Sequence, residues 1–143
     1  MRREDLIHLQ HGEREYHERH PPRTNYDIPI FHAVKKVYAI IYTTGNALSK
    51  RDKLGIHRNI EDLGLALFDE IIGAALAPKT RKTERLEKAR LITEKLKHLT
   101  RLEYELKIIS EKSYIQTQSE LVEISKMTNG WIKYLAQNPP KTY

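Results

Sequence analysis

An all-α fold, an antiparallel up-down-up-down four-helix bundle, is predicted by two features of the chain. Four apolar stripes recur at steps of three and four residues, and no stretch alternates with the period of two that a half-buried strand needs. The segments joining the stripes are short, which makes consecutive helices antiparallel neighbours. The stripes are Ile30, Val34, Val37, Ile41, Thr44 and Leu48; Ile56, Ile60, Leu63, Leu67, Ile71 and Ala74; Ala89, Ile92, Leu96, Leu99, Glu103 and Leu106; and Leu121, Ile124, Thr128, Trp131 and Leu135. The division that follows is an N-terminal extension (1–25), the bundle (26–138) and a short tail (139–143).

The extension holds His8, His11, His17 and His20, five arginines and the pair Pro21-Pro22, with only Leu6, Ile7, Leu9 and Tyr16 clearly apolar. A short helix over 3–19, marginal in isolation, is expected to end at the prolines. It either docks on a partner or neighbouring subunit or frays as a tail. Asp27 can cap the first core helix, with Pro29 in the first turn where a missing N–H costs nothing. That helix is expected to run to about Leu48, weakened at Gly45-Asn46.

Ser49 can cap a second helix over 50–76. Gly64 and Gly73 inside it cost roughly 1 kcal/mol each against alanine, and the usual return is close approach of a neighbouring helix. Pro78 ends it. The third helix is expected over 80–109, capped by Thr80 or Thr83. Glu84–Lys88, Glu94–His98 and Glu103–Lys107 stand at i, i+4 on its outer face. Glu103 is the one acidic residue on the third apolar stripe, expected at the bundle edge or in a subunit contact. Ser113 can cap the fourth helix, which runs to about Gln137 before Asn138-Pro139-Pro140.

The chain of 143 residues is long enough to bury a core and contains no cysteine. Disulfides, thiolate metal sites and cysteine nucleophiles are excluded, and a cytoplasmic setting is expected. No run approaches the roughly 20 apolar residues of a membrane span, so no membrane association is expected.

Chemistry of the enzymatic kind is hard to find. A di-metal bundle needs Glu-x-x-His on facing helices, but the residues three before His32, His57 and His98 are Pro29, Leu54 and Lys95. The tail histidines lack a fixed geometry for a metal. The glycines are dispersed and none follows a strand, so no phosphate-cradling loop is present, and no spacing suggests a catalytic triad. Neither an enzyme, a cofactor nor a metal is expected.

Charge is more informative. The chain has 25 Lys+Arg against 19 Asp+Glu, a formal net charge of +6, which favours polyanions such as RNA or DNA. Lys50, Arg51, Lys53, His57 and Arg58 crowd the start of the second helix. Lys79, Arg81, Lys82, Arg85, Lys88 and Arg90 crowd the start of the third. Cations at a helix N-terminus oppose the macrodipole, and that mild cost points to another use. Aromatic residues do not interleave with either cluster, which favours phosphate contacts over base stacking. Tyrosine is abundant, with 8 in the chain; Tyr38, Tyr42, Tyr104, Tyr114 and Tyr134 suit half-wet interfaces between subunits.

Three stretches carry a resemblance: Tyr26-Asp27-Ile28-Pro29-Ile30-Phe31, Ser49-Lys50-Arg51-Asp52-Lys53-Leu54-Gly55 and Met127-Thr128-Asn129-Gly130-Trp131-Ile132. Together they resemble the bacterial four-helix-bundle family that includes Avd, the accessory protein of diversity-generating retroelements, and proteins encoded within intervening sequences of ribosomal RNA genes. The resemblance spans about residues 26–136. It departs at the longer histidine-rich extension and at Thr128, where members often carry an aliphatic residue. It implies a non-enzymatic homopentamer, a basic ring that binds the reverse transcriptase and the template RNA and supports mutagenic cDNA synthesis. The alternative it implies is an intervening-sequence protein that binds structured RNA without a reverse transcriptase partner.

Overall fold

The computed structural model describes residues 29–139. Four long helices and one single-turn helix account for nearly all of them: α1 (Pro29–Gly45), α2 (Lys50–Leu54), α3 (Ile56–Leu76), α4 (Lys79–Glu105) and α5 (Glu111–Gln137). No strand occurs among the described residues. The expected cap at Asp27 and the expected helix over 3–19 lie outside them. No helix among the described residues is long and apolar enough to cross a membrane.

The helices close a four-membered ring of contacts, α1 with α3, α3 with α4, α4 with α5 and α5 with α1. The stripes meet along its axis. Val34, Val37, Ile60, Leu67, Ile71, Leu86, Ala89, Leu96, Leu121 and Ile124 are essentially inaccessible to solvent. Each large aliphatic side chain among them contributes about 1.5–3 kcal/mol on leaving water. Phe31 and Phe68 meet edge to face between α1 and α3, with ring centroids 6.1 Å apart. Four threonines within this core, Thr93, Thr100, Thr117 and Thr128, each donate their hydroxyl to the carbonyl four residues earlier. The helix backbone thus satisfies hydroxyls that burial would otherwise strand. Thr128 is accommodated in this way at a position suited to an aliphatic side chain.

The element boundaries differ from the sequence expectation in four places. First, α1 stops at Gly45 instead of reaching Leu48. Second, the helix expected over 50–76 is two helices, broken at Gly55, where a Cβ would lie 2.9 Å from the Arg51 carbonyl oxygen. Ser49 does cap the first of them, accepting from the Asp52 amide. Third, neither Thr80 nor Thr83 caps α4: Pro78 is its N-cap residue, without a side-chain hydrogen bond. At its other end α4 stops at Glu105 because Lys107 turns left-handed, with φ 62°. The Ile108 amide then returns to the Glu103 carbonyl and the Lys107 amide to that of Tyr104. These two bonds make a Schellman closure, in which the left-handed residue is usually glycine. Leu106, on the predicted stripe, sits at this turn and is exposed. Fourth, Ser110 rather than Ser113 caps α5, its hydroxyl accepting from the Ser113 amide at 3.1 Å.

The two glycines inside α3 do admit neighbours. A Cβ on Gly64 would lie 2.9 Å from the Tyr38 ring of α1, and one on Gly73 would lie 3.1 Å from the Arg85 guanidinium of α4.

Candidate nucleic-acid interface

The cations at the starts of α2 and α4 divide into two groups by what surrounds them. Lys50, Arg51 and Lys53 on α2, Arg58 on α3, and Lys79 and Arg81 on α4 all lie exposed on the surface. None of the six forms an ion pair with a carboxylate among the described residues. Such charges remain hydrated and open to phosphate oxygens.

The other four have partners within the protein. Lys82 reaches back from α4 to the end of α3, where its Nζ donates to the carbonyls of Ala74 and Ala75 at 2.8 and 2.9 Å. These are terminal carbonyls with no amide partner of their own, and the ammonium also complements the negative end of the α3 dipole. Burial holds the pKa of Lys82 below the ordinary lysine value. Arg85 lies over Gly73 and pairs with Glu70 at 3.3 Å. Arg90 pairs with Glu87, its Nε donating at 3.0 Å. Lys88 stands 3.9 Å from Glu84. The second cluster therefore offers Lys79 and Arg81 freely, and a weaker contribution from Lys88 and Arg90, whose exposed pairs are worth little and exchange readily. Lys82 and Arg85, which the sequence groups with the phosphate ligands, face partners on α3 and tie α4 to it.

His57 is likewise not part of the basic surface. It is 1% exposed and so is Glu103, and the two form one buried pair with Nδ1 2.7 Å from Oε2. Nε2 lies 2.7 Å from the Ile41 carbonyl oxygen at the end of α1. Glu103 therefore sits in the bundle interior rather than at its edge, and the Glu103–Lys107 pair expected from spacing gives way to this one. Room for the imidazole comes from Gly45, whose Cβ would lie 3.0 Å from its Cδ2. Burial alone would pull the pKa of His57 down. The hydrogen bonds to Glu103 and Ile41, with the negative charges of Glu103 and Glu61, outweigh it and leave the pKa above the ordinary histidine value.

The same pair fixes where the clusters lie. Arg58 adjoins His57, beside Glu103 near the end of α4, whereas Arg81 and Lys82 stand at its beginning. At 1.5 Å per residue the two clusters are separated by about 30 Å along the bundle. Glu61 and Asp69, carboxylates of α3, lie in the sequence between them. The clusters are therefore two separate cationic patches rather than a continuous stripe.

Two shallow apolar grooves flank α1. One, of about 460 Å³, is lined by Val34, Tyr38, Tyr42, Leu65 and Phe68; the other, of about 540 Å³, lies against α5 beside Ile40, Leu48 and Ile109. Tyr42 and Leu65 are more than half exposed. Tyr104 and Tyr114 stack face to face at 4.5 Å across the α4–α5 turn. Among the described residues no group of three or more histidines and carboxylates could hold a metal ion; the histidines of the extension lie outside them. No family model matches the chain, and comparison with curated proteins and with solved structures gives no match either.

Proposed function

We propose that the protein is a non-enzymatic nucleic-acid-binding accessory protein that binds structured RNA through two separated cationic patches. The patches are Lys50, Arg51, Lys53 and Arg58 at one end and Lys79 and Arg81 at the other, with Lys88 and Arg90 as peripheral contributors. The observation that carries this reading is the set of six surface cations without carboxylate partners among the described residues. A cation without an internal partner contributes its whole charge to counterion release when it meets a phosphate. The absence of aromatic side chains from both patches favours backbone contacts over base readout.

The resemblance of three stretches to the retroelement accessory proteins extends the proposal. The RNA would be the template transcript of a diversity-generating retroelement, the protein partner its reverse transcriptase, and the assembly a homopentamer that repeats the patches around a ring. The groove beside α1 that holds Tyr38 and Tyr42 suits such subunit or polymerase contacts.

Co-purification tests the specific form. When the chain is expressed with the reverse transcriptase and template RNA of its own element, a ternary complex should elute together. Replacing Lys50, Arg51, Lys53, Arg58, Lys79 and Arg81 by glutamine should remove the RNA while circular dichroism stays unchanged. Full RNA retention by the folded six-fold variant would overturn the assignment. RNA binding without any polymerase association would favour the intervening-sequence alternative.

A further inference from the structure

Three elements converge on one imidazole. His57 stands in the first turn of α3, Glu103 in the last turn of α4 and Ile41 in the last turns of α1. Both ring nitrogens face an acceptor at 2.7 Å, the Glu103 carboxylate on one side and the Ile41 carbonyl on the other. A neutral imidazole has one N–H, so a carboxylate and a carbonyl can both be satisfied only when both nitrogens carry protons. The positive ring in turn neutralises Glu103, which would otherwise be an uncompensated anion in the core.

We propose that His57 is a proton-dependent latch, closed as imidazolium, that fastens the ends of α1 and α4 to the start of α3 and releases them as the pH rises. Loss of the proton leaves a nitrogen lone pair against an oxygen at hydrogen-bond distance, and Glu103 without its counter-charge. The other groups that face the site do not rescue it. Glu61, on α3 itself, adds a second negative charge, and α1 presents the Ile41 carbonyl and the backbone of Gly45. The α2 turn and Arg58 flank the latch, so its release would loosen the backbone that displays Lys50, Arg51, Lys53 and Arg58. The inference concerns that end of the fold and stands independently of what the cations bind.

The direction follows from linkage. His57 is held above the ordinary histidine pKa in the folded chain, so the stabilisation is fully present below about pH 6.5 and declines as the pH rises toward the folded-state pKa. Within that window the opening equilibrium of the junction should rise about tenfold per pH unit, then level off.

Two measurements on the full chain test this. Nitrogen-15 NMR of the histidine rings should show both His57 nitrogens still protonated above the ordinary histidine pKa of about 6.5. Hydrogen exchange, corrected for intrinsic rate, should show protection at the α1–α3–α4 junction falling across the His57 titration while amides around Leu86 and Ile71 stay constant. Glu103→Gln should lower the pH at which His57 titrates and move the loss of protection with it. A ring that is neutral at pH 6, or junction protection that ignores the His57 titration, would overturn the proposal.

Discussion

Lys82 caps the helix that precedes its own: its ammonium donates to the carbonyl of Ala74, eight residues back, and to that of Ala75. A residue that reads in the sequence as one of six cations at a helix start is thereby committed to closing a hairpin. Charge counting alone would assign it to the ligand.

Substitution separates the two roles. Lys82→Met removes charge-assisted hydrogen bonds to two terminal carbonyls and should cost about 1–2 kcal/mol in urea unfolding. Arg81→Glu, one position away and exposed, should leave stability within about 0.5 kcal/mol and weaken RNA binding by itself. A stability loss from Arg81→Glu equal to that from Lys82→Met would contradict the division.

Glycines in two helices give opposite expectations. Gly64→Ala places a methyl 2.9 Å from Cδ1 of Tyr38, near the root of the ring, so relief requires turning the whole ring or shifting the helix. Overpacking should destabilise by about 1–2 kcal/mol despite the better helix propensity of alanine. Gly130→Ala meets nothing within 4 Å and should stabilise by about 0.5–1 kcal/mol. Thermal unfolding of both variants checks the pair, and destabilisation by Gly130→Ala would show that the α5 face is covered in solution.

Lys107 occupies the left-handed position of the Schellman closure with a side chain that position disfavours. Left-handed backbone costs an L-residue about 1–2 kcal/mol, part of which glycine returns through greater freedom when unfolded. Lys107→Gly should therefore raise stability in thermal unfolding by about 0.5–1 kcal/mol, with no change in the circular dichroism of the native state.

The bundle was legible because burial leaves a periodic trace. Val34, Val37, Ile60, Leu67, Leu96, Leu121 and Ile124 lie on the stripes and all are buried. The break at Gly55 was not legible: the apolar spacing of three and four runs on from Ile56, and the interruption is a turn of the Gly55 backbone, with ψ −113°, that the pattern does not mark. The positions of His57 and Glu103 were hidden for another reason. They are 46 residues apart, and only the packing of α3 on α4 makes one the partner of the other. Of the predicted cationic site, the exposed members were correctly read as surface charge. Lys82 and Arg85 were indistinguishable from them, because their acceptors belong to α3.

RNA binding measured across a salt series shows whether the exposed cations carry the affinity. Binding of a structured RNA to the full chain should weaken steeply and linearly on a logarithmic salt scale. Replacing Lys50, Arg51, Lys53 and Arg58 by glutamine should reduce that slope by about one unit for each phosphate no longer neutralised. An affinity that is insensitive to salt, or a slope unchanged in the folded four-fold variant, would contradict the account.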